Sequence, residues 1–198
     1  MRRELSDQHR TQERVRPGRA RLIAFALVAC LAGVSFNGIA EQDQNVKAAF
    51  VFNFVRFTEW PAQRFAQRNT PLSLCVWTPD ARLSESMRAL GNRSVDERPV
   101  RVTEVDRLDE LAKCHALFIA DSSPRASGAA WLRRAESLDV LTMGDSDSFA
   151  TSGGMIGLVS DGPRMRFDIN DKAVKRSNLK LASQLYQLGR PVTEALAR

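Results

Sequence analysis

The segment KAAFVFNFVRFTEWP, residues 47–61, decides how the rest of the chain is interpreted. Four phenylalanines and one tryptophan lie within it, although aromatic residues make up only 7% of the whole chain. Its spacing predicts an α-helix that ends before Pro61, because the residue before a proline is disfavoured in the α region. At 100° per residue, one stripe faces the core and holds Val46, Ala49, Phe50, Asn53, Phe54 and Phe57. Asn53 then needs hydrogen-bond partners inside an apolar face, so we interpret it as structural.

The opposite side of this predicted helix is apolar as well. It carries Ala48, Val51, Phe52 and Val55. A helix that is apolar on nearly every side is either enclosed by its own protein or shared with a partner. Both interpretations stay open. For the second, we expect partner contacts at the outer face and end of the helix, through Phe52, Val55, Glu59 and Trp60.

Residues 1–40 have the pattern of a cleavable signal peptide. A head with seven arginines precedes an apolar stretch at 22–34, and small residues at 38–40 offer a cleavage site. We therefore predict a signal peptide over 1–40, a single domain over 41–198 and a periplasmic location. Residues 27–30 also resemble a lipoprotein box, which would place a lipid on Cys30. The apolar run that continues past Cys30 favours cleavage after Ala40 instead.

The charge of the exported part is nearly balanced. Residues 1–40 hold seven of the 29 basic and three of the 23 acidic residues, which leaves 22 basic and 20 acidic residues. The whole-chain pI of 9.8 therefore gives no support for nucleic-acid binding, and we expect no nucleic-acid partner. The remaining 158 residues are enough for one domain with a substantial core.

Two cysteines, Cys75 and Cys114, lie beyond the predicted signal peptide. An even pair in an exported protein predicts a disulfide. His115 is the only histidine left, and two cysteines with one histidine at this spacing match no metal-finger pattern. We predict no metal site and no cofactor.

Strand and helix patterns alternate through the middle of the chain. Predicted strands lie at 72–77, 100–105, 116–120 and 140–144, and predicted helices lie between them at 82–90, 106–113 and 127–137. This alternation predicts an α/β fold with a mostly parallel sheet flanked by helices.

The pattern changes after residue 150. Segments 153–159 and 165–169 are joined by a turn too short for a crossover, which predicts a β-hairpin. A final helix is predicted from Asn170 or Asp171 to about Leu188, ended by Gly189. Its expected core stripe consists of Val174, Leu181, Leu185 and Leu188.

Six segments together resemble the family of small exported YfiR-like proteins. They are KAAFVFNFVRFTEWP, LCVWTPD, KCHALFIA, LTMGDSDSFATSGGMIGLV, RMRFDIN and LKLASQLYQLG. The resemblance implies an α/β fold, often dimeric, that binds the periplasmic sensor domain of a membrane diguanylate cyclase and holds it inactive. It also implies release by an outer-membrane lipoprotein and sensitivity to the state of disulfides.

The cysteines agree with this family only in part. Cys75 and Cys114 match the positions of the family's structural disulfide, whereas a second cysteine pair of the best-known member is missing. Phe149 and Ile156 lie in the stretch where that pair would fall. Redox switching by the second pair therefore does not extend to this chain.

Catalytic patterns are weak. His115 is the only candidate base, and it adjoins Cys114; consecutive strand residues point to opposite faces, so the two would not form a nucleophile and base. Asp145, Asp147 and Asp168 are carboxylates of the type used in acid–base or metal chemistry. The DSDS stretch at 145–148 resembles the start of a calcium loop but lacks its glycine and its closing glutamate. We therefore expect no enzymatic activity.

Two further segments contain residue types found at ligand sites. Gly153 and Gly154 fit a tight turn better than a phosphate cradle, since no helix start follows them. Arg164 and Arg166 share one strand face, and with Asp168 they form a possible ligand site, or simply a solvated face.

These patterns predict a periplasmic, non-enzymatic regulator. The expected partner is the periplasmic domain of a membrane diguanylate cyclase or sensor kinase, with an outer-membrane lipoprotein and a second copy of the chain as further partners. The alternative is a periplasmic sensor module that binds a small anion or nucleotide-like solute at Arg164, Arg166 and Asp168.

Overall fold

The computed structural model describes residues 37–123 and 125–193. Most of the predicted signal peptide, including its arginine-rich head, its apolar stretch and Cys30, lies outside the described residues. Within them the α-helices are α1 Asn37–Arg56, α2 Ala81–Arg88, α3 Arg125–Glu136, α4 Asp171–Arg176 and α5 Ser183–Leu188. Short 3-10 helices lie at Ala62–Arg64, Ala89–Asn92 and Leu108–Lys113.

The strands form one large sheet and one small pair. They are β1 Thr58–Glu59, β2 Leu72–Trp77, β3 Ser94–Val95, β4 Arg98–Glu104, β5 Ala116–Ile119, β6 Leu141–Gly144, β7 Ile156–Asp161, β8 Arg164–Ile169, β9 Lys180–Leu181 and β10 Arg190–Pro191. The large sheet has the order β10-β8-β7-β6-β5-β2-β4-β3, and β1 pairs with β9.

Five neighbouring strands of the large sheet, β4, β2, β5, β6 and β7, run parallel to one another. The antiparallel strands β3 and β8 flank them. The predicted α/β class with a mostly parallel sheet is therefore confirmed. The chain moves outward from β2 to β4, then returns past β2 to β5 and continues through β6 to β7, so the direction of winding reverses between β2 and β5.

Local signals explain several element ends. The Asp80 side chain accepts hydrogen bonds from the backbone of the first turn of α2, and the buried Asn170 side chain accepts one from Ala173 N in α4. The hairpin of β7 and β8 closes through Gly162, which has a φ of 58°. Both capping interactions and the hairpin follow from residues that the sequence displays.

The core lies on both faces of the large sheet. On one face, α1 and α2 pack against strand residues that include Leu74, Val76 and Phe118. On the other face, α3 and the 3-10 helix Leu108–Lys113 pack against Cys75 and Leu117. Alternate strand residues thus point to opposite sides of the sheet, as the pleat requires.

The predicted orientation of α1 is wrong for three residues of the expected core stripe, whereas Phe54 of that stripe is buried at 1% exposure. Asn53 is exposed, as are Val46 and Ala49, whereas Val51 and Val55 on the other side are buried at 0% and 1% exposure. Because both sides of the helix are apolar, the 3.6-residue period alone cannot choose between them. Asn53 therefore has no part in the buried network that we predicted for it.

The predicted final helix is also wrong in its extent. The chain forms two short helices, α4 and α5, separated by β9. A long-range contact lies at the break between the two helices. There Asn178 donates from both its backbone and its side chain to the carboxylate of Asp139. Of the expected core stripe, Leu185 is buried but Leu188 is 76% exposed.

Candidate functional site

The outer side of α1 is the leading candidate for partner binding. We call it the α1 surface and define it by Val46, Ala49, Phe50, Asn53, Arg56 and Phe57. Val46 is 38% exposed, the two phenylalanines are half-buried and the other three residues are exposed. The Arg56 guanidinium lies 5.6 Å from the centroid of the Phe57 ring. Apolar area, aromatic rings and an arginine are the composition typical of protein interfaces.

The four residues predicted to contact a partner separate into two pairs. Phe52 and Val55 belong to the core, and Arg93 covers the Phe52 ring with its guanidinium 4.6 Å from the ring centroid. The expectation that these two side chains face outward is therefore wrong. Glu59 is exposed and Trp60 is half-buried at the end of the segment. These two residues stay candidates for partner contact.

The side chain of Trp60 is held in place by a hydrogen bond to the backbone before β5. Its indole Nε1 donates a hydrogen bond of 2.8 Å to the backbone oxygen of His115, which precedes β5. The chain after α1 is also held by β1, whose Thr58 pairs with Leu181 of β9. The Thr58 hydroxyl donates to the backbone oxygen of Phe54. The exposed edge of Trp60 is thus presented on a rigid support.

A second anchor holds the first half of α1. Lys47 Nζ lies 2.8 Å from Asp145 Oδ2, with side-chain exposures of only 17% and 9%. The other carboxylate oxygen of Asp145 accepts from the backbone N–H of Asp121 at 2.6 Å. Burial disfavours the charged ammonium, but hydrogen bonding and attraction by Asp145, with a smaller contribution from Asp43, leave the pKa of Lys47 raised. The ion pair therefore ties α1 to the loop after β6.

The disulfide predicted from the sequence is present between Cys75 and Cys114, with the two Cα atoms 5.8 Å apart. Cys114 accordingly has no free thiol to act as a nucleophile. The bond joins β2 to the residue before His115, close to the support of Trp60. It therefore stabilises the backbone around His115, which accepts the hydrogen bond from Trp60 after the end of α1.

His115 is a buried structural residue. Its Nδ1 accepts from the backbone N–H of Ser73 at 3.0 Å, which leaves Nε2 to donate to the backbone oxygen of Arg64 at 3.0 Å. Phe65 stacks on the imidazole with 4.5 Å between ring centroids. Burial lowers the pKa of His115 and favours the neutral ring. Both ring nitrogens are therefore engaged in holding the chain rather than facing a substrate.

Both arginines of β8 are exposed, and Arg166 lies close to a carboxylate. Arg166 Nε lies 2.5 Å from Asp161 Oδ2, and Asp168 accepts from Arg190 Nε at 2.7 Å. Arg164 is exposed on the same side of the strand as Arg166. The sequence-predicted ligand site at Arg164, Arg166 and Asp168 is thus a strand face that already contains ion pairs.

Glycines at the end of β6 and in the loop after it leave space for one aromatic ring. Gly153 has a φ of 105°, a region that favours glycine. A Cβ on Gly154 would lie 2.1 Å from the Phe149 ring, and one on Gly144 would lie 2.3 Å from the same ring. Phe149 therefore occupies space that only glycines on both sides leave free.

Sequence reasoning missed the α1 surface, although a signal for it was present. Asn45, Ala49, Asn53 and Arg56 follow each other at intervals of four, four and three, which is a helical stripe of polar and small residues. Asn53 belongs to this exposed stripe, and we assigned it to the apolar one. No sequence signal pointed to the contact between Lys47 and Asp145, which are 98 residues apart.

Two negative findings concern the described ranges, 37–123 and 125–193. None of the helices there is both long enough and apolar enough to span a membrane. Within the same ranges, no group of three or more histidine, cysteine, aspartate or glutamate side chains is arranged to hold a metal ion.

Comparison with known protein families identifies a match. The model of a family described as YfiR/HmsC-like matches residues 44–190, which is most of the chain. No curated protein matches the chain. The family match covers the large sheet except for Pro191 at the end of β10, and it confirms the resemblance inferred from the six sequence segments.

Proposed function

The chain belongs to the YfiR/HmsC-like family of periplasmic regulators of c-di-GMP signalling, and we propose that it represses a membrane diguanylate cyclase by direct binding. In this proposal it is exported by a signal peptide over residues 1–40 and binds the periplasmic sensor domain of the cyclase. A membrane sensor kinase is the alternative receptor of the same kind.

The α1 surface is the observation that supports this proposal most directly. It combines exposed Val46 and Ala49 with half-buried Phe50 and Phe57 on one side of a helix. The opposite side of the same helix is fully committed to the core. Binding there requires no rearrangement of the core, and rigid presentation reduces the entropy lost on association.

Repression requires that the regulator distinguish two states of its receptor. A protein that bound the active and inactive sensor domains equally well would not shift the equilibrium between these two states. Changing the ratio of active to inactive receptor from about 99:1 to 1:99 requires that the regulator bind the inactive state more tightly by roughly 5.5 kcal/mol. The α1 surface, with Glu59 and Trp60 at its end, is the region that we propose makes this distinction.

Further partners belong to the same proposal. A second copy of the chain would form a homodimer, and an outer-membrane lipoprotein would relieve repression by binding in place of the receptor. The family is regulatory rather than enzymatic. In this chain Cys114 is in a disulfide and His115 is held by two backbone groups, which supports a role without catalysis.

The proposal is tested by adding bulk and charge to the centre of the α1 surface. Ala49→Arg changes an exposed position and should leave the fold intact. We expect it to reduce capture of the receptor in a periplasmic cross-linking pull-down by at least about tenfold, since a charge forced into an interface costs more than about 1.4 kcal/mol.

Ala89→Arg is the matched control, because Ala89 is also exposed and lies at the end of another helix, α2. It should capture the receptor like the unchanged protein. Equal capture by Ala49→Arg and Ala89→Arg would remove the α1 surface from the proposal.

A further inference from the structure

A cavity of about 280 Å³ lies at the carboxyl ends of β2 and β5. Trp77 is the last residue of β2 and Ile119 is the last residue of β5, and both line it. The loop after β5 contributes Asp121 and Ser123, and α3 contributes Leu132. None of the described lining residues belongs to the α1 surface or to β8.

The winding of the sheet explains why a gap exists at this point. The connection from β2 to β4 runs through α2, whose Leu83 and Met87 pack on one face of the sheet. The connection from β5 to β6 runs through α3, whose Trp131 and Ala135 pack on the other face. Because the two connections leave to opposite faces, the carboxyl ends of β2 and β5 stay uncovered between them. Open α/β sheets bind ligands in this crevice.

One wall of the cavity is apolar and aromatic. Trp77, Leu132 and Phe149 form it. The Trp77 indole stacks on the buried Trp131, with 4.6 Å between ring centroids and an interplanar angle of 21°. Phe149 is fixed in turn by the glycines on either side of it. The wall is therefore rigid, and it favours binding of a ligand that has a flat and apolar face.

The polar part of the lining carries little charge. The loop after β6 supplies Ser146, Ser148 and Ser152, whose hydroxyls both donate and accept. Asp121 is the only charged residue in the described lining, which contains no lysine, arginine or histidine. An anion would find no cation among these residues. Hydroxyls beside an aromatic wall instead suit a neutral molecule with a polar edge.

We propose that this cavity is a binding site for a small, uncharged, planar molecule. One face of the ring packs on the wall of Trp77 and Phe149, and the polar edge hydrogen-bonds to the serine hydroxyls at 146, 148 and 152. The volume is near the lower end of the range for ligand pockets, roughly 300 Å³, so the molecule has one or two rings.

The cavity is physically connected to α1. Asp145 lies directly before Ser146, accepts from the backbone N–H of Asp121 and holds Lys47 of α1. A ligand that shifts either cavity residue therefore acts on the anchor of α1. This consequence rests on the proposed function, whereas binding in the cavity does not.

Binding is measured by NMR titration of the exported protein with nicotinamide and benzamide at millimolar concentrations. We expect saturable shifts of the Trp77 indole N–H and of the backbone amides of residues 146–152. Sulfate and glucose serve as an anionic and a non-planar probe, and they should not shift these signals. Larger shifts with sulfate or glucose, or no saturable shift with either planar probe, would overturn the proposal.

Gly128→Leu fills the cavity and provides the decisive variant. Gly128 lines it, and a Cβ there meets no atom within 4 Å, so the larger side chain enters open space. Leucine also favours the helix over glycine. We expect binding of nicotinamide to weaken at least about tenfold, while Ala89→Leu, at an exposed position outside the cavity, leaves it unchanged.

Ala129→Leu is the second blocking variant, in case Gly128→Leu disturbs the fold, because Ala129 also lines the cavity. Unchanged affinity in a folded blocking variant would contradict this location. Receptor capture by the unchanged protein is a separate measurement, so failure of the cavity proposal and failure of the repressor proposal are distinguishable.

Discussion

Lys47 is the residue that fixes the first half of α1. Its ammonium forms a largely buried ion pair with Asp145. We predict that Lys47→Met lowers the free energy of unfolding by about 2 kcal/mol, because removal of the cation leaves a partly buried carboxylate without its counter-charge. Urea denaturation measures this loss. Lys172→Met, at an exposed position of α4, should change stability by less than about 0.5 kcal/mol.

The pH dependence of the same contact has a definite sign. The pKa of Lys47 is raised above its ordinary value of 10.5, so the folded state holds the proton more tightly than the unfolded state. The stabilisation is fully present below pH 10.5 and is lost as the pH rises through the folded-state pKa. An equal stability loss in Lys47→Met and Lys172→Met would show that the ion pair contributes nothing.

His115 gives the opposite sign at acidic pH. Burial lowers the pKa of His115 below 6.5, so the unfolded state binds a proton more readily than the folded state. We predict that this residue destabilises the fold progressively as the pH falls below 6.5. NMR titration of the exported protein reports it directly, since His115 is the only histidine after residue 40. A titration midpoint at or above 6.5 would contradict the buried, neutral ring.

At the scale of elements, the loop after β6 depends on close packing of Phe149 between two glycines. Gly154→Ala would place a methyl carbon 2.1 Å from the nearest atom of the Phe149 ring, so the ring or the backbone must shift. We predict a loss of about 1 to 3 kcal/mol in the free energy of unfolding, typical of overpacking. Denaturation by urea checks the value.

Two variants test that explanation. Gly91→Ala places its Cβ 3.9 Å from the nearest neighbour, so it should be tolerated. Combining Gly154→Ala with Phe149→Leu should cost less than the two single changes together, because the smaller side chain relieves the overlap. Full additivity would mean that the ring is not the obstacle.

Most strands and their order of appearance were predictable from the sequence. Segments such as 72–77 and 116–120 are short apolar runs bounded by turn residues, and they form β2 and β5. Local hydrophobicity and turn chemistry are enough to define such elements. The Asn170 cap of α4 was predictable for the same reason.

The orientation of α1 was not predictable from its apolar residues. Phe54 and Phe57 were assigned to the same stripe, yet Phe54 contacts Phe167 of β8 at 4.9 Å between centroids while Phe57 is only half-buried. The choice depends on which side meets the hairpin, which is tertiary information. Likewise, Asn178 interrupts the final helix through Asp139, a contact between residues 39 positions apart.

At the scale of the whole molecule, one chain presents two separate features. The α1 surface offers exposed and half-buried side chains that are mainly apolar, together with Asn53 and Arg56. The cavity at β2 and β5 follows from the reversal of winding in the sheet. Lys47 and Asp145 join the two. The family could be recognised from sequence segments, whereas this connection required the assembled fold, because its residues lie in different elements.

The most direct test of the central claim is site-specific photo-cross-linking from position 49 in the periplasm of the native host, with captured proteins identified by mass spectrometry. The account predicts a cross-link from α1 to the periplasmic domain of a membrane diguanylate cyclase or sensor kinase, and no such cross-link from position 89. Capture of the receptor from position 89 but not from position 49 would contradict the account.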